Sequence, residues 1–129
     1  MSALSDFDRA VEKIDLEVAK AATTLQRKLV LKIATLLILA TPVRTGAARS
    51  NWNTSIGVAN FSVTDVVDTN GNKARQKAIA VSKSVKPGDV AYITNALPYI
   101  GKLNDGHSKQ QPAGFIERSV LLANAEAKI

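Results

Sequence analysis

His107 is the only histidine of the chain, and Asp105 and Ser108 stand beside it. Those are the residue types of a hydrolytic triad, in which a base takes the proton from a nucleophile. The spacing defeats that chemistry. Residues one or two apart in a loop point in different directions, and no nucleophile-elbow or oxyanion-hole glycine pattern accompanies them. One histidine without spaced partner ligands cannot close a metal site either. Gly46, Gly101, Gly106 and Gly114 do not fall at phosphate-loop or dinucleotide-binding spacing, so turns and close backbone approach are their expected roles. Glu12 with Asp15, or Asp65 with Asp68, are imaginable carboxylate pairs, yet acid–base work needs a shielded pocket, which a solvated helix or turn does not predict. The expectation is a protein that is not an enzyme and takes neither cofactor nor metal.

Residue types suited to contact are more telling. Aromatics make up only 5% of the chain. Trp52 and Tyr99 are either core anchors, on a strand and at the turn after Pro98, or hot spots of an interface. Arg44 and Arg49 flank the same loop as Trp52. Lys20, Arg27, Lys28 and Lys32 form a basic set that either lies on a solvated helix face or meets phosphates without sequence preference. No interleaved aromatics, helix-turn-helix signature or RNA-recognition motif points to sequence-specific binding.

These residues sit in a chain of 129 residues, enough for one domain over residues 1–129, with 46% apolar residues to fill a core. Cysteine is absent, which removes disulfides and thiolate sites and fits a reducing compartment. The start of the chain is acidic and lacks the apolar stretch of a secretory signal. Leu29 to Ala40, the longest apolar window, contains Lys32 and is too short to span a bilayer, so a soluble intracellular protein is expected. The net charge of +6 is unevenly spread. Asp6, Asp8, Glu12, Asp15 and Glu17 outnumber Arg9 and Lys13 in the first nineteen residues, whereas residues 20–64 contain no acid. Complementing the dipole of one long helix accounts for this pattern. So does contact between the acidic part of one subunit and the basic part of the next, or a basic surface near DNA.

The elements follow from period and punctuation. Residues 5–40 read as one helix, with Ser5 or Asp6 as N-cap and Pro42 beyond its end. It would run about 50 Å, longer than one small core needs. Phe7, Val11, Ile14, Val18, Ala21, Ala22, Leu25, Leu29, Ile33 and Leu36 recur at threes and fours and define its apolar face, opposite Arg9, Lys13, Lys20 and Arg27. Leu31 and Ile38 continue the charged side, so Leu29–Leu39 reads as apolar all round, buried by its own domain or by a neighbouring copy. Thr41–Ser50 reads as a loop, and Asn51–Ser62 with Val63–Val67 as one or two strands. Asp68 to Asn72 is a turn cluster, Lys73–Val85 a helix, and Val90–Asn95 a buried strand. A short helical turn over Leu97–Leu103, an exposed loop over Asn104–Gln111 and a final helix from Pro112 or Ala113 to about Ala127 complete the chain. In the final helix Phe115, Ile116, Val120, Leu122 and Ala123 mark the apolar side. The fold class is α+β: a long N-terminal helix packed on a small antiparallel sheet, with further helices including a C-terminal one, in a mixed region over residues 41–129.

Two stretches carry a resemblance. One is Thr41-Pro42-Val43-Arg44-Thr45-Gly46 followed by Arg49-Ser50-Asn51-Trp52. The other is Tyr92-Ile93-Thr94-Asn95-Ala96-Leu97-Pro98-Tyr99, then Gly106-His107-Ser108 and Gln111-Pro112-Ala113-Gly114. In that order they resemble the neck or tail-completion family of tailed bacteriophages, whose members are assembly parts rather than catalysts. The motifs cover residues 41–52 and 88–118, and the remainder agrees in layout. Members often carry an acid where Arg44 stands, so an ion pair there does not carry over.

The resemblance implies a structural virion protein at the head–tail joint, assembled in the host cytoplasm. It would act as copies of itself in a ring, between head-connector and tail proteins, with nonspecific contact to packaged DNA. On that reading Leu29, Leu31, Leu36, Ile38, Arg44, Arg49, Trp52, Tyr99 and His107 are the candidate subunit-interface residues. Long helices would pack through Leu29–Leu39, and the loops Thr41–Ser50 and Asn104–Gln111 would reach adjacent rings. Lys20, Arg27, Lys28 and Lys32 would face DNA or the acidic helix start of the next copy. The alternative is a small basic protein that binds nucleic acid without sequence preference.

Overall fold

The computed structural model describes residues 3–43 and 45–126. Its elements are α1 (Ala3–Ala40), α2 (Ala47–Ser50), β1 (Trp52–Ile56), α3 (Asn72–Ser84), β2 (Ala91–Asn95), α4 (Ile100–Asn104) and α5 (Phe115–Glu126). The class is α+β, with a long N-terminal helix, a two-stranded antiparallel sheet and a C-terminal helix. β1 and β2 pair in the register Trp52↔Asn95, Thr54↔Ile93 and Ile56↔Ala91. No helix among the described residues is long and apolar enough to cross a membrane.

The core forms where the last third of α1 meets the sheet, α3 and α5. Leu37, Ile38, Trp52, Ala74 and Phe115 make its centre, with Ile33, Ile93, Ile100, Leu103 and Ile116 packed around them. The core-facing row of α1 is Thr23, Val30, Ala34, Leu37 and Ile38, at helical spacing, and Thr41 just past its end continues it. This row differs from the periodic apolar face read from the sequence, whose N-terminal part lies in water. Phe7, Ile14 and Val18 are 65%, 59% and 62% exposed, and Val11 is exposed as well. Within one chain Leu29–Leu39 is not enclosed all round: Leu31, Ile33 and Leu36 are half-buried and Leu39 is exposed. The small and polar residues Thr23, Ala34 and Thr41 let neighbouring elements come close to α1, which the larger side chains of the other stripe would prevent.

Several boundaries shift. α1 already includes Ala3, so Ser5 and Asp6 lie inside the helix rather than capping it. The expected loop 41–50 contains the short helix α2. Val63–Val67 is no strand: its backbone is held by side chains instead of a ladder. Asn51 Nδ2 donates to the Thr64 carbonyl and the Thr64 N–H donates to Asn51 Oδ1 at 2.8 Å. Ser50 Oγ accepts from the Asp68 N–H at 2.7 Å and donates to its carbonyl. Val58, Phe61, Val63, Val66 and Val67 are left exposed along this segment. The residues of β2 are half-buried rather than buried. In α5 the buried positions are Phe115, Ser119 and Ala123, while Leu122 is half-exposed at the cleft between α5 and α1.

The start of α3 follows from local chemistry. The Asp68 carboxylate accepts from the N–H groups of Asn70 and Asn72, at 2.9 and 3.0 Å, placing negative charge at the helix N-terminus. Gly71 has φ 68°, and a Cβ there would lie 2.5 Å from Ile38 Cγ2. Only glycine lets α3 begin directly against α1.

Candidate functional site

The two stretches that carry the resemblance meet in space. Thr41–Gly46 leaves the end of α1, and the turn at Tyr99, α4 and the loop 105–110 lie opposite it. Between them is a groove of about 650 Å³ whose walls include Pro42, Val43, Ala47, Tyr99, Lys102 and His107. Gln110 ties the two sides together. Its Nε2 donates to the Val43 carbonyl at 2.5 Å, and its Oε1 accepts from the Val43 N–H at 2.7 Å. A side-chain amide thus imitates the pairing of a strand across the mouth of the groove.

Each wall is fixed by its own sequence. Gly46 has φ 92°, and a Cβ there would fall 2.8 Å from the Thr69 nitrogen, so the chain turns tightly against residues 68–69. Arg49 then reaches back to the end of α1. Its Nε donates to the Thr41 carbonyl at 3.0 Å and its NH2 to the Leu39 carbonyl at 2.8 Å, while NH1 bonds the Thr69 carbonyl. The last turn of α1 carries no basic residue of its own, so this guanidinium supplies the positive charge that a helix C-terminus favours. Trp52 is 6% exposed, and its Nε1–H donates to Thr41 Oγ1 at 2.8 Å. Thr41 Oγ1 donates in turn to the Leu37 carbonyl. Asn95 Nδ2 bonds the Ala48 carbonyl, joining β2 to α2. On the other wall Asn104 accepts from the Ile116 N–H and donates to Glu117, and Arg118 donates to the carbonyls of Pro112 and Ala113. Most polar motif residues are therefore joints that shape the groove.

The candidate residues separate accordingly. Tyr99 and His107 come together as exposed groove walls. Arg49 and Trp52 sit behind the opposite wall as joints, and Ile38, 1% exposed, belongs to the core. Ile38 and Trp52 are enclosed by their own chain and offer no surface to a neighbour. Leu29, Leu31 and Leu36 are half-buried along α1. Arg44 lies outside the described residues. Of the basic set, Arg27 donates through Nε and NH2 to the Val85 carbonyl, which ends α3, and Lys32 Nζ lies 2.8 Å from Glu126 Oε2. Lys20 and Lys28 are exposed.

No hydrogen bond joins the His107 imidazole to Asp105 or Ser108 among the described residues, and no cluster of three metal-ligating side chains occurs among them. The groove is apolar along much of its length, with Lys102, His107 and Tyr99 among its walls. Gln110 escaped the sequence reading, which had Asn51 as a motif residue without its hold on Thr64. An isolated amide in a polar loop carries no periodic signal, although an asparagine directly before a buried tryptophan was a hint. In comparisons with known proteins, the chain matches no protein family, no curated protein and no solved structure.

Proposed function

We propose that this chain is a structural subunit of a tailed-phage neck, acting as one copy of a ring at the head–tail joint and catalysing no reaction. One observation carries the reading: the chain exposes more surface than a free-standing domain of its size. Its accessible area is 8193 Å², where a compact monomer of 13.7 kDa exposes about 6,600 Å². The surplus of about 1,600 Å² comes from a shape less compact than a lone domain, with one helix running past the body, and such surface is what an assembly part has to offer to neighbours. The resemblance over residues 41–52 and 88–118 gives this assembly part its place, and the groove between those stretches is a fitting seat for an adjacent head or tail protein.

Electron microscopy of a lysate from phage carrying a stop codon in this gene tests the proposal. Filled heads and finished tails lying unjoined are the expected result. Normal infectious particles would reject it, and salt-sensitive DNA binding by the free protein would then become the favoured function.

A further inference from the structure

We infer that the exposed N-terminal stripe of α1 docks on the middle of α1 in a second copy of this chain, head to tail, with its acidic rim against that copy's lysines. The inference rests on the proposal that the protein works in several copies, and it names the surfaces that join them.

Phe7, Val11, Ile14 and Val18 follow one another at four, three and four residues, and all four are exposed. Ala21 and Leu25 continue that spacing, which is the repeat by which one helix seats against another. The same stripe runs on through Leu29, Ile33 and Leu36. Near its far end it is covered: α5 packs there, and Leu36, Ala40, Phe115 and Leu122 line a common cleft. Among the described residues that cover reaches Glu126, which meets Lys32. From Val18 back to Phe7 the stripe is exposed, so a covered face continues into an uncovered one.

The occupant follows from charge and from geometry. Asp8 and Glu17 each stand three residues from a stripe residue, Val11 and Ile14, and therefore border the apolar line. With a balance of −3 in the first nineteen residues, the segment is repelled by its own like, by anionic lipid and by DNA. It needs an apolar strip with a basic border. The chain carries one: Leu25 and Leu29 are half-buried, Lys28 follows three residues on and is exposed, and Lys32 follows in turn with its ammonium shared with Glu126 of its own chain. The other border is a largely apolar cleft of about 460 Å³ lined by Leu29, Ile33, Val90 and Ile93, with Val90 55% exposed and one acid, Asp89, whose carboxylate accepts from the Lys86 N–H. Strip and stripe lie on the same continuous helix, so one chain cannot bring them together. A second copy of the chain supplies the matching surface. Because the two faces differ, the contact is heterologous and each subunit keeps one of each face free for the next, which closes into a ring or grows as a filament.

Sedimentation of charge-swapped full-length chains tests this. D8K/E17K makes the arm basic, and K28E/K32E makes the receiving strip acidic. Each variant alone is expected to associate about tenfold more weakly than the wild type or worse, from like charges brought face to face. Mixed in equal amounts, the two should regain wild-type association, because every contact is again complementary. Thermal melts of both variants check that they fold. The chain has no cysteine, so I14C and V90C can also be mixed and oxidised with no competing thiol. Disulfides between positions 14 and 90 are expected. Association of K28E/K32E at wild-type strength, failure of the mixture to recover, or disulfides confined to 14–14 pairs would overturn the inference. A wild-type chain that stays monomeric at every concentration would overturn it too. If the stop-codon phage still left heads and tails unjoined, the neck proposal would survive that failure. Recovery in the mixture alongside normal stop-codon particles would reject the neck and keep the docking.

Discussion

The two halves of α1 share one helix and one apolar stripe, yet they live in different solvents. From Thr23 onward the helix has a second row of side chains turned into the core, and the sheet, α3 and α5 lie against it. Before Thr23 the described large apolar side chains, Phe7, Val11, Ile14 and Val18, are exposed to water. A helix of 38 residues is about 57 Å long, while a compact domain of this size is only about 36 Å across. Part of α1 must extend beyond the body, and the part that does is the acidic, apolar-striped one. The lesson is that periodicity reports which side of a helix is apolar, not whether that side is covered by its own chain.

Substitution at paired positions breaks the comparison most sharply. Phe115 is 1% exposed against the inner half, and Phe115→Ala should cost about 3–5 kcal/mol, read as a fall in the unfolding midpoint in urea. Phe7→Ala, the same deletion on the outer half, should change stability by no more than about 0.5 kcal/mol. Equal losses would mean that the outer half is part of the core.

Next in size is Gly46→Ala. It places a Cβ against the backbone of residues 68–69 at a left-handed φ, and should cost about 2 kcal/mol. An unchanged denaturation curve would mean that the turn after α1 can relax. Arg49→Ala removes the guanidinium from the carbonyls of Leu39, Thr41 and Thr69, for a loss of about 1–2 kcal/mol. Amide exchange should speed up in the last turn of α1 more than in α5. Uniform change across the chain would deny the local cap. Smallest is Lys32→Ala. Its ion pair with Glu126 is half-exposed at both ends and should contribute less than about 1 kcal/mol to thermal stability.

Much of the fold was legible in the sequence. The unbroken period up to Ala40, Pro42 beyond it, the Asp-Thr-Asn-Gly turn and the Pro-Gly turn before β2 mark real boundaries. The core row was harder to see. Thr23, Ala34 and Thr41 are small or polar, so the larger and more regular stripe of Phe7 to Leu36 outweighed them, although water reaches that stripe from Phe7 to Val18. Val63–Val67 has the β-branched composition of a strand, but Ser50 and Asn51 take up backbone groups that a strand would offer to a ladder. Tyr99 and His107 were both singled out from the sequence. Their convergence with residues 42–48 was not, because it depends on the path of α4 and on Gln110, neither of which has a periodic signature.

The most direct measurement is a comparison of the full chain with one that begins at Ala19, by thermal unfolding and sedimentation in parallel. The outer half should be dispensable for folding and needed for assembly. The shortened chain should melt within about 3 °C of the full one and remain monomeric where the full chain associates. A collapse of the fold, or association undiminished by the cut, would contradict the division of α1 into an inner half that builds the domain and an outer half that joins it to its neighbour.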